Sequence, residues 1–274
     1  MAPTPPSSSA LTPHRPGRPG PVWMDAGEYL RKKLLDGQAV PWEDSGPFAS
    51  YVQRGVSLLE SDAALLDLVA AWSLHPVEVT QTRRARALRT LLDDPTNAAV
   101  ALEALRTAAA AVRVPVVAVL ASPRRWLMIA NYLAGTSDTP IDEDSVDAAA
   151  MYIAGVVPAI ADTGAACLLI DEADSAAEDL TPVSAVQTIT NAATHHGLAV
   201  VVRSHVAPCW ALAHERVAAW VGPRPPEIDG APPWSVCGEL GRDLPAAEGG
   251  APRIVHVSAD SDPVDVTEAI RSWA

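Results

Sequence analysis

Short apolar runs alternate with longer amphipathic segments along most of the chain. The runs are continuous and rich in β-branched residues, which is typical of parallel strands buried on both faces. Strands are predicted at Val114 to Leu120, Cys167 to Ile170, Leu198 to Val202, Val217 to Val221, Trp234 to Leu240 and Ile254 to Val257.

The segments between these runs carry apolar residues at helical spacing. Strands that alternate with amphipathic helices form βα units around a parallel sheet, so the predicted fold class is α/β. Only about six strands stand out, because the sequence between Gly222 and Pro252 is rich in Pro and Gly and suggests that the last βα units are eroded. Helices are predicted at Met24 to Leu35, Val56 to Trp72, Gln81 to Leu92, Asn97 to Val112, Arg124 to Leu133, Glu143 to Ala161, Pro182 to His196, Pro208 to Arg216 and Val264 to Trp273.

Length and composition indicate one large domain. The chain has 274 residues, of which 49% are hydrophobic, and this is enough for a full core. Residues 1 to 21 are rich in Pro, Ser and Gly and are predicted to be disordered. Residues 22 to 274 are then predicted to form a single domain.

The net charge narrows the classes of partner. A formal charge of -13 argues against nucleic acid and against anionic membrane surfaces. Three cysteines are too few for a disulfide framework, and the N-terminus lacks the apolar stretch of a signal peptide. The longest apolar run, Ala148 to Ala161, is too short to span a membrane. We therefore expect a cytoplasmic protein.

Leu168 to Ser175 reads LLIDEADS and imitates the acidic box that holds Mg²⁺ in ATPases. The glycine-rich phosphate loop that accompanies this box, ending in Gly-Lys-Ser or Gly-Lys-Thr, is absent from the sequence. The acidic residues are better explained as the solvent-facing end of a strand, which in a barrel is also the active-site face.

Four segments share features with one known family. Pro21 to Leu30 reads PVWMDAGEYL, and Val114 to Gly135 reads VPVVAVLASPRRWLMIANYLAG. The first resembles the N-terminal signature of uroporphyrinogen decarboxylase, and the second resembles that family's strand, Pro-containing loop and helix. Ala64 to Val79 resembles its first barrel strand, and Gly164 to Pro182 resembles its Gly-Ala strand with an acidic loop. The resemblance covers nearly the whole chain after residue 21.

The resemblance implies a (β/α)8 barrel of the TIM type, a carbon–carbon lyase without a cofactor, and a homodimer. It implies that Asp67 stabilises positive charge on an intermediate and that Tyr132 hydrogen-bonds the ligand or Asp67. It also implies that Trp23 and Met24 contact the substrate. The alternative is that Asp67 is an aspartate on a helix surface and Tyr132 a core-edge tyrosine with its hydroxyl in water.

Two features depart from the family. Asp25 and Glu28 stand where the decarboxylase has arginines that bind substrate carboxylates. Because like charges repel, we expect a substrate less anionic than uroporphyrinogen. Ser258 to Asp260 stands where the family has a Gly-His-Gly loop, so the histidine of that loop is missing.

The same superfamily contains zinc-dependent methyltransferases, namely cobalamin-independent methionine synthase and the corrinoid methyltransferases. Their site needs His-x-Cys and a distant Cys. His205 occupies the histidine position, but Ala207 replaces the cysteine. A site completed by Cys209 and Cys237 would need unusual spacing, so no metal site is predicted.

Other polar residues near strand ends are candidates for substrate binding. Arg124 and Arg125 could hold an anion at a helix N-terminus, or pair with nearby acids. Asp171 and Ser175 could orient a polar group, or lie in a solvated loop. His205 could be a ligand or a general acid or base, or a structural histidine.

Three hypotheses for function follow. The first is a divergent lyase for a small carboxylated or tetrapyrrole-like molecule in the barrel mouth, favoured by Asp67 and Tyr132. The second is a non-catalytic barrel that binds a small molecule or a protein partner, favoured by the lost arginines and histidine. The third is zinc-dependent methyl transfer. Whether the chain is an enzyme stays open at this point.

Overall fold

The computed structural model describes residues 11, 14–16, 18, 20–78, 85–137, 139–172, 183–204, 217–222, 234–240, 247 and 250–273. The strands are β1 (Val22–Asp25), β2 (Ala64–Asp67), β3 (Val116–Ala121), β4 (Cys167–Glu172), β5 (Ala199–Ser204), β6 (Ala219–Gly222), β7 (Trp234–Glu239) and β8 (Arg253–His256). The helices are α1 (Gly27–Leu35), α2 (Ser45–Leu59), α3 (Leu68–Trp72), α4 (Arg86–Asp93), α5 (Pro95–Ala111), α6 (Pro123–Leu133), α7 (Glu143–Ala161), α8 (Val183–His195) and α9 (Pro263–Ser272).

All paired strands are parallel, in the order β1-β8-β7-β6-β5-β4-β3-β2. The two edge strands meet through a short seam rather than a ladder. At this seam the backbone N–H of Asp62 donates to the Val22 carbonyl at 2.9 Å, and the Val22 N–H donates to the Asp62 carboxylate at 2.9 Å. The Met24 N–H donates to the Ser61 hydroxyl at 3.1 Å. The predicted (β/α)8 barrel is confirmed.

Side chains of alternate residues along the strands fill the barrel interior. Trp23, Val119, Leu169, Val201 and Ile254 belong to one buried cluster there. The intervening strand residues join the helices in the core that surrounds the barrel. This alternation is expected of a closed barrel, because successive side chains of a strand point to opposite faces.

Helix α7 is long and apolar enough to cross a membrane by length and composition. It packs between α6 and α8, and its apolar face, including Val146, Ile153 and Val157, is buried there. Its apolar character is therefore explained by its place in the outer helical layer, which is the arrangement found in soluble α/β barrels.

Two strands were not predicted from the hydrophobic pattern, although the family resemblance placed a barrel strand within Ala64 to Val79. Val22–Asp25 is a strand that precedes helix α1, although we predicted a helix from Met24. The segment predicted as a helix from Val56 to Trp72 contains β2 and then the five-residue helix α3. Both strands have four residues, too few to establish a period of two beside a helical pattern.

The last strands of the barrel are present, so the expected erosion does not reach β7 and β8. The helix predicted at Pro208 to Arg216 lies outside the described residues. Part of the expected disordered tail is packed instead. Leu11 is 2% exposed in the interior cluster, and Arg18 is 6% exposed beside Asp62. These two residues cover the lower end of the barrel.

Candidate functional site in the barrel mouth

Charged side chains occupy the inward-facing positions at the carboxyl ends of the strands. Because side chains alternate along a strand, the residue two positions after an interior apolar residue also points inward, and near the end of the strand it lies at the mouth of the barrel. In barrel enzymes this end carries the active site. The residues at these positions, which we call the mouth layer, are Asp25, Asp67, Asp171, Arg203, Glu239 and His256.

Arg203 is the centre of an ion-pair network. Its Nε and one terminal nitrogen donate to the two carboxylate oxygens of Asp171, each at 2.8 Å. Its other terminal nitrogen donates to Asp25 at 2.5 Å. Arg125, in the first turn of α6, donates to Asp171 at 2.7 Å. Because buried charges are tolerated only when they are paired, this network holds both carboxylates and both arginines in fixed positions.

The network also sets the protonation of its members. Burial alone would raise the pKa of Asp25, but the neighbouring His256 ring and the charge of Arg203 outweigh burial and lower that pKa to about 2. Nδ1 of His256 lies 3.7 Å from the Asp25 carboxylate, beyond hydrogen-bond range, so the two interact as charges. The Asp25 carboxylate raises the pKa of His256 in return. Burial disfavours the charge on Arg203, but Asp171 and Asp25 raise its pKa above the ordinary value, so it stays protonated.

Asp67 is held differently. It caps helix α3, and its carboxylate accepts a hydrogen bond from the Val69 N–H at 2.9 Å. The carboxylate is open to solvent within the mouth, yet the surrounding protein limits its hydration and raises its pKa above the usual range. The N–H groups of Val69 and Ala70 and the charge of Arg125 oppose this rise. Asp67 is thus a carboxyl group that can take up a proton nearer to neutral pH than Asp25 can.

A cavity of about 270 Å³ opens beside the mouth layer. A cavity of this size suits a small molecule. Its polar end is formed by Asp25, Asp67, Arg125, Asp171 and Arg203. Its other part lies against α1 and α2 and is lined by apolar side chains, including Leu30, Val40, Trp42, Tyr51 and Val56.

Four of the residues predicted from sequence come together at this cavity: Met24, Asp67, Arg125 and Asp171. Arg125 and Asp171 pair with each other, as the alternative for the arginine foresaw. Because Asp171 is bound by two arginines, it is not free to hold Mg²⁺ as the acidic box of an ATPase would.

The structure does not bring the other predicted residues to the cavity. Tyr132 is 75% exposed near the C-terminal end of α6, which runs away from the mouth. Trp23 is 1% exposed in the interior below the mouth layer, and Arg124 is half-buried at the start of α6 but does not line the cavity. Ser175 and His205 lie outside the described residues.

Besides Glu239, three members of the mouth layer were missed in the sequence. Asp25 was interpreted only as a lost arginine, although it pairs with Arg203. Arg203 itself was not singled out, although it follows the inward-facing Val201 by two residues. His256 lies two residues before the segment that we compared with the missing Gly-His-Gly loop. Strand parity would have found all three once the inward face of each strand was known.

In the described part of the chain, no three His, Cys, Asp or Glu side chains are grouped to hold a metal ion. Of the residues weighed for zinc, Cys237 lies on β7 with its thiol facing the barrel interior, where burial raises its pKa. His205 and Cys209 lie outside the described residues.

No protein-family model and no curated protein matches the sequence. Among solved structures, a methyltransferase from Methanosarcina mazei is 15% identical, with 97% of this chain and 96% of that chain covered and a TM-score of 0.58. A phosphonopyruvate hydrolase is 14% identical over 89% of this chain and 83% of that chain, with a TM-score of 0.40. A phosphoenolpyruvate phosphomutase from Streptomyces platensis subsp. rosaceus is 14% identical over 90% and 84%, with a TM-score of 0.37.

These matches overturn the family assignment made from sequence. The similar solved structures named above are a methyltransferase and phosphonopyruvate-type enzymes, not uroporphyrinogen decarboxylase. The assignment to that family, and decarboxylation as the reaction, are therefore wrong. The matched segments were strand-loop-helix units of a kind that any barrel contains, and both family arginines are acids here. At 15% identity the likeness to the methyltransferase shows a shared fold alone, on which this chain carries its own mouth chemistry.

Proposed function

We propose that the protein is an enzyme that transfers a proton to or from a small molecule bound in the mouth cavity, with Asp67 as the general acid or base. The supporting observation is the position of the Asp67 carboxylate. It stands at the end of a barrel strand, opens onto the cavity, and is held there by a backbone N–H group.

The other acids of the described cavity wall have a different role. Asp25 and Asp171 are bound by Arg203, and Glu28 at the rim is bound by Arg31 at 2.7 Å. A carboxylate engaged by an arginine is a poor base, because the pair stabilises its ionised form. Asp67 has backbone partners and a raised pKa, and catalytic carboxyl groups of enzymes are commonly tuned in this direction.

The mouth network supports this role by fixing the site. Arg125 and Arg203 both bind Asp171, and Arg203 also binds Asp25. The charged groups at the polar end of the cavity are therefore preorganised. Preorganised charges lower the cost of reaching a transition state, because they need no rearrangement at that moment.

The test is a substrate search with matched variants. Purified wild-type protein, Asp67→Asn and Asp162→Asn are each incubated with a bacterial small-molecule extract, and the mixtures are compared by mass spectrometry over time. Asp162 is an exposed carboxylate at the end of α7 and serves as the control. We expect at least one compound to be consumed by wild type and by Asp162→Asn, and by Asp67→Asn at least about a hundredfold more slowly.

Equal turnover by Asp67→Asn would remove Asp67 from the reaction. If the wild type consumes no compound but retains a ligand from the extract after gel filtration, the barrel is a binding protein and the enzymatic proposal is wrong. The cytoplasmic location and the homodimer expected from the sequence stay predictions, to be checked by cell fractionation and by light scattering of the purified protein.

A further inference from the structure

The seam between β1 and β2 shapes the cavity in a way that the mouth layer alone does not. Every other neighbouring strand pair has a backbone ladder, whereas this seam is bridged near its lower end by Ser61 and Asp62. Above the bridge the cavity touches both strands, from Met24 and Asp25 on one side to Leu65 and Asp67 on the other. It therefore extends from the mouth through the upper seam to the space beneath α1 and α2.

The part of the cavity under α1 and α2 is apolar and closely walled. Trp42 stacks at an angle on Phe48 with ring centroids 5.1 Å apart, which fixes its ring at the cavity edge. Gly55 allows α1 to approach α2, because a Cβ at this position would lie 2.8 Å from Cδ1 of Leu30. Val56 completes this side. Such a wall accommodates a short hydrocarbon group and offers it about 0.8 kcal/mol per buried methylene, equivalent to about fourfold in affinity.

The polar end carries an excess of negative charge. Three carboxylates, Asp25, Asp67 and Asp171, face two arginines, Arg125 and Arg203, and both arginines already bind carboxylates. A ligand anion would have to displace an existing ion pair, whereas a ligand cation meets the carboxylate of Asp67 directly.

We propose that the cavity binds an amine with a short apolar chain, the ammonium group at Asp67 and the chain beneath α1 and α2. This inference rests on the proposed function for the site and adds the substrate class: the proton that Asp67 exchanges is one on the amine nitrogen with which it pairs. The ammonium donates to Asp67 in its ionised form, and the apolar wall excludes water from the chain. The polar end of the cavity thus selects for a cation, and the apolar end limits the length of its hydrocarbon chain.

The test uses three six-carbon probes of the same shape: hexylamine, hexanol and hexanoate. Their dissociation constants are measured by isothermal titration calorimetry on the full-length protein. We expect hexylamine to bind about tenfold more tightly than hexanol, because a hydrogen bond to a charged group is stronger than a neutral one. We expect no saturable binding of hexanoate. Butylamine should bind about sixteenfold more weakly than hexylamine, since two methylenes are lost.

The pH dependence gives a second readout. The amine is cationic from pH 4 to 8, so its affinity should rise with pH as Asp67 ionises and then level off, while the affinity of hexanol stays constant. In Asp67→Asn the preference for hexylamine over hexanol should disappear, because only the charged amine loses an ion pair. Val56→Phe should weaken hexylamine more than butylamine by filling the far end, whereas Val264→Phe, on the exposed face of α9, should change neither.

Tighter binding of hexanoate than of hexylamine, or no saturable binding of hexylamine, would overturn the amine assignment. The outcome is separable from that of the proposed function. If Asp67→Asn stops turnover of a compound that is not an amine, the proposed role of Asp67 in the reaction is supported and the amine as substrate class is wrong. If hexylamine behaves as expected but no compound is converted, the binding site stands and the enzymatic proposal falls.

Discussion

The two ends of the barrel contain similar chemistry with different consequences. At the lower end, the Asp62 carboxylate accepts hydrogen bonds from the backbone N–H groups of Arg15 and Val22 and from the Arg18 side chain. The side chains of Arg18 and Asp62 are 2% and 3% exposed. At the mouth, Arg203 and Asp171 are nearly as buried and as fully paired. Both ends thus carry buried ion pairs, one above and one below the apolar interior.

The ends differ in what lies against the ions. The lower cluster is covered by the segment before β1, and its carboxylate bridges the seam. The mouth cluster borders a cavity, and one carboxylate beside it, Asp67, is open to that cavity. Buried ion pairs by themselves are therefore no sign of function, because the same pairing stabilises the lower end. What distinguishes a candidate site is a titratable group left open beside such a network.

The largest expected effect is on stability at the mouth. Arg203→Met leaves the half-buried Asp25 without its arginine and leaves the buried Asp171 with Arg125 alone. Breaking a buried pair on one side costs roughly 3–5 kcal/mol. Urea denaturation at pH 7 should show this loss, while Arg271→Met on the exposed face of α9 should stay within about 0.5 kcal/mol of wild type. A loss below about 1 kcal/mol would mean that the network is not buried as described.

A substitution at the lower end of the barrel should lower stability but leave ligand binding unchanged. Asp62→Ala removes the acceptor of three hydrogen bonds and leaves Arg18 with Glu60. We expect a loss of roughly 2–4 kcal/mol in the free energy of unfolding. Hexylamine binding by the protein that remains folded should be unchanged. If binding falls in proportion to stability, the two ends are coupled and the comparison drawn above fails.

The loss of folding stability at acid pH should depend on Asp25. Its pKa is lowered in the folded state, so its contribution is complete above the ordinary value of 3.8 and is lost as the pH falls towards about 2. Carboxyl ¹³C NMR should place the Asp25 titration near pH 2. In His256→Asn the midpoint should move upward, because one positive neighbour is removed. An unchanged midpoint would show that Arg203 alone holds the Asp25 pKa.

Asp67 should show the opposite sign. Its pKa is raised in the folded state, so its ionisation disfavours folding, and stability falls slightly as the pH rises through that pKa. Asp67→Asn should therefore be slightly more stable than wild type at pH 7 and indistinguishable from it near pH 3. Asparagine caps α3 as well as aspartate does, so the cap itself should not change. A clear destabilisation at pH 7 would show that Asp67 is a structural partner rather than an open acid or base.

The smallest effect is expected at Tyr132. The resemblance made it a catalytic candidate, but its side chain is 75% exposed and lies away from the cavity. Tyr132→Ala should change stability by less than about 0.5 kcal/mol and leave hexylamine affinity unaltered. Calorimetric titration of hexylamine into Tyr132→Ala and into Asp67→Asn shows which of these two residues, both assigned to the site from the sequence, contributes to binding.

Most of the fold could be predicted because it depends on local pattern. The apolar runs of β3 to β6 and β8, and the spacing in α5 to α9, lie close to the predicted bounds. The two four-residue strands β1 and β2 could not be predicted from the hydrophobic pattern, since it is too short to compete with flanking helices, and only the resemblance placed a strand within Ala64 to Val79. They are the strands that form the seam and carry Asp25 and Asp67.

The sequence by itself determined that the chain is an α/β protein, that acids accumulate after its strands, and that Asp171 stands at a strand end. Only the tertiary structure decided what these residues do. Asp25 and Arg203 are 178 positions apart, and they meet because the barrel brings the carboxyl ends of β1 and β5 to one mouth. A pairing between distant strands depends on how the sheet closes, which local hydrophobic pattern does not encode.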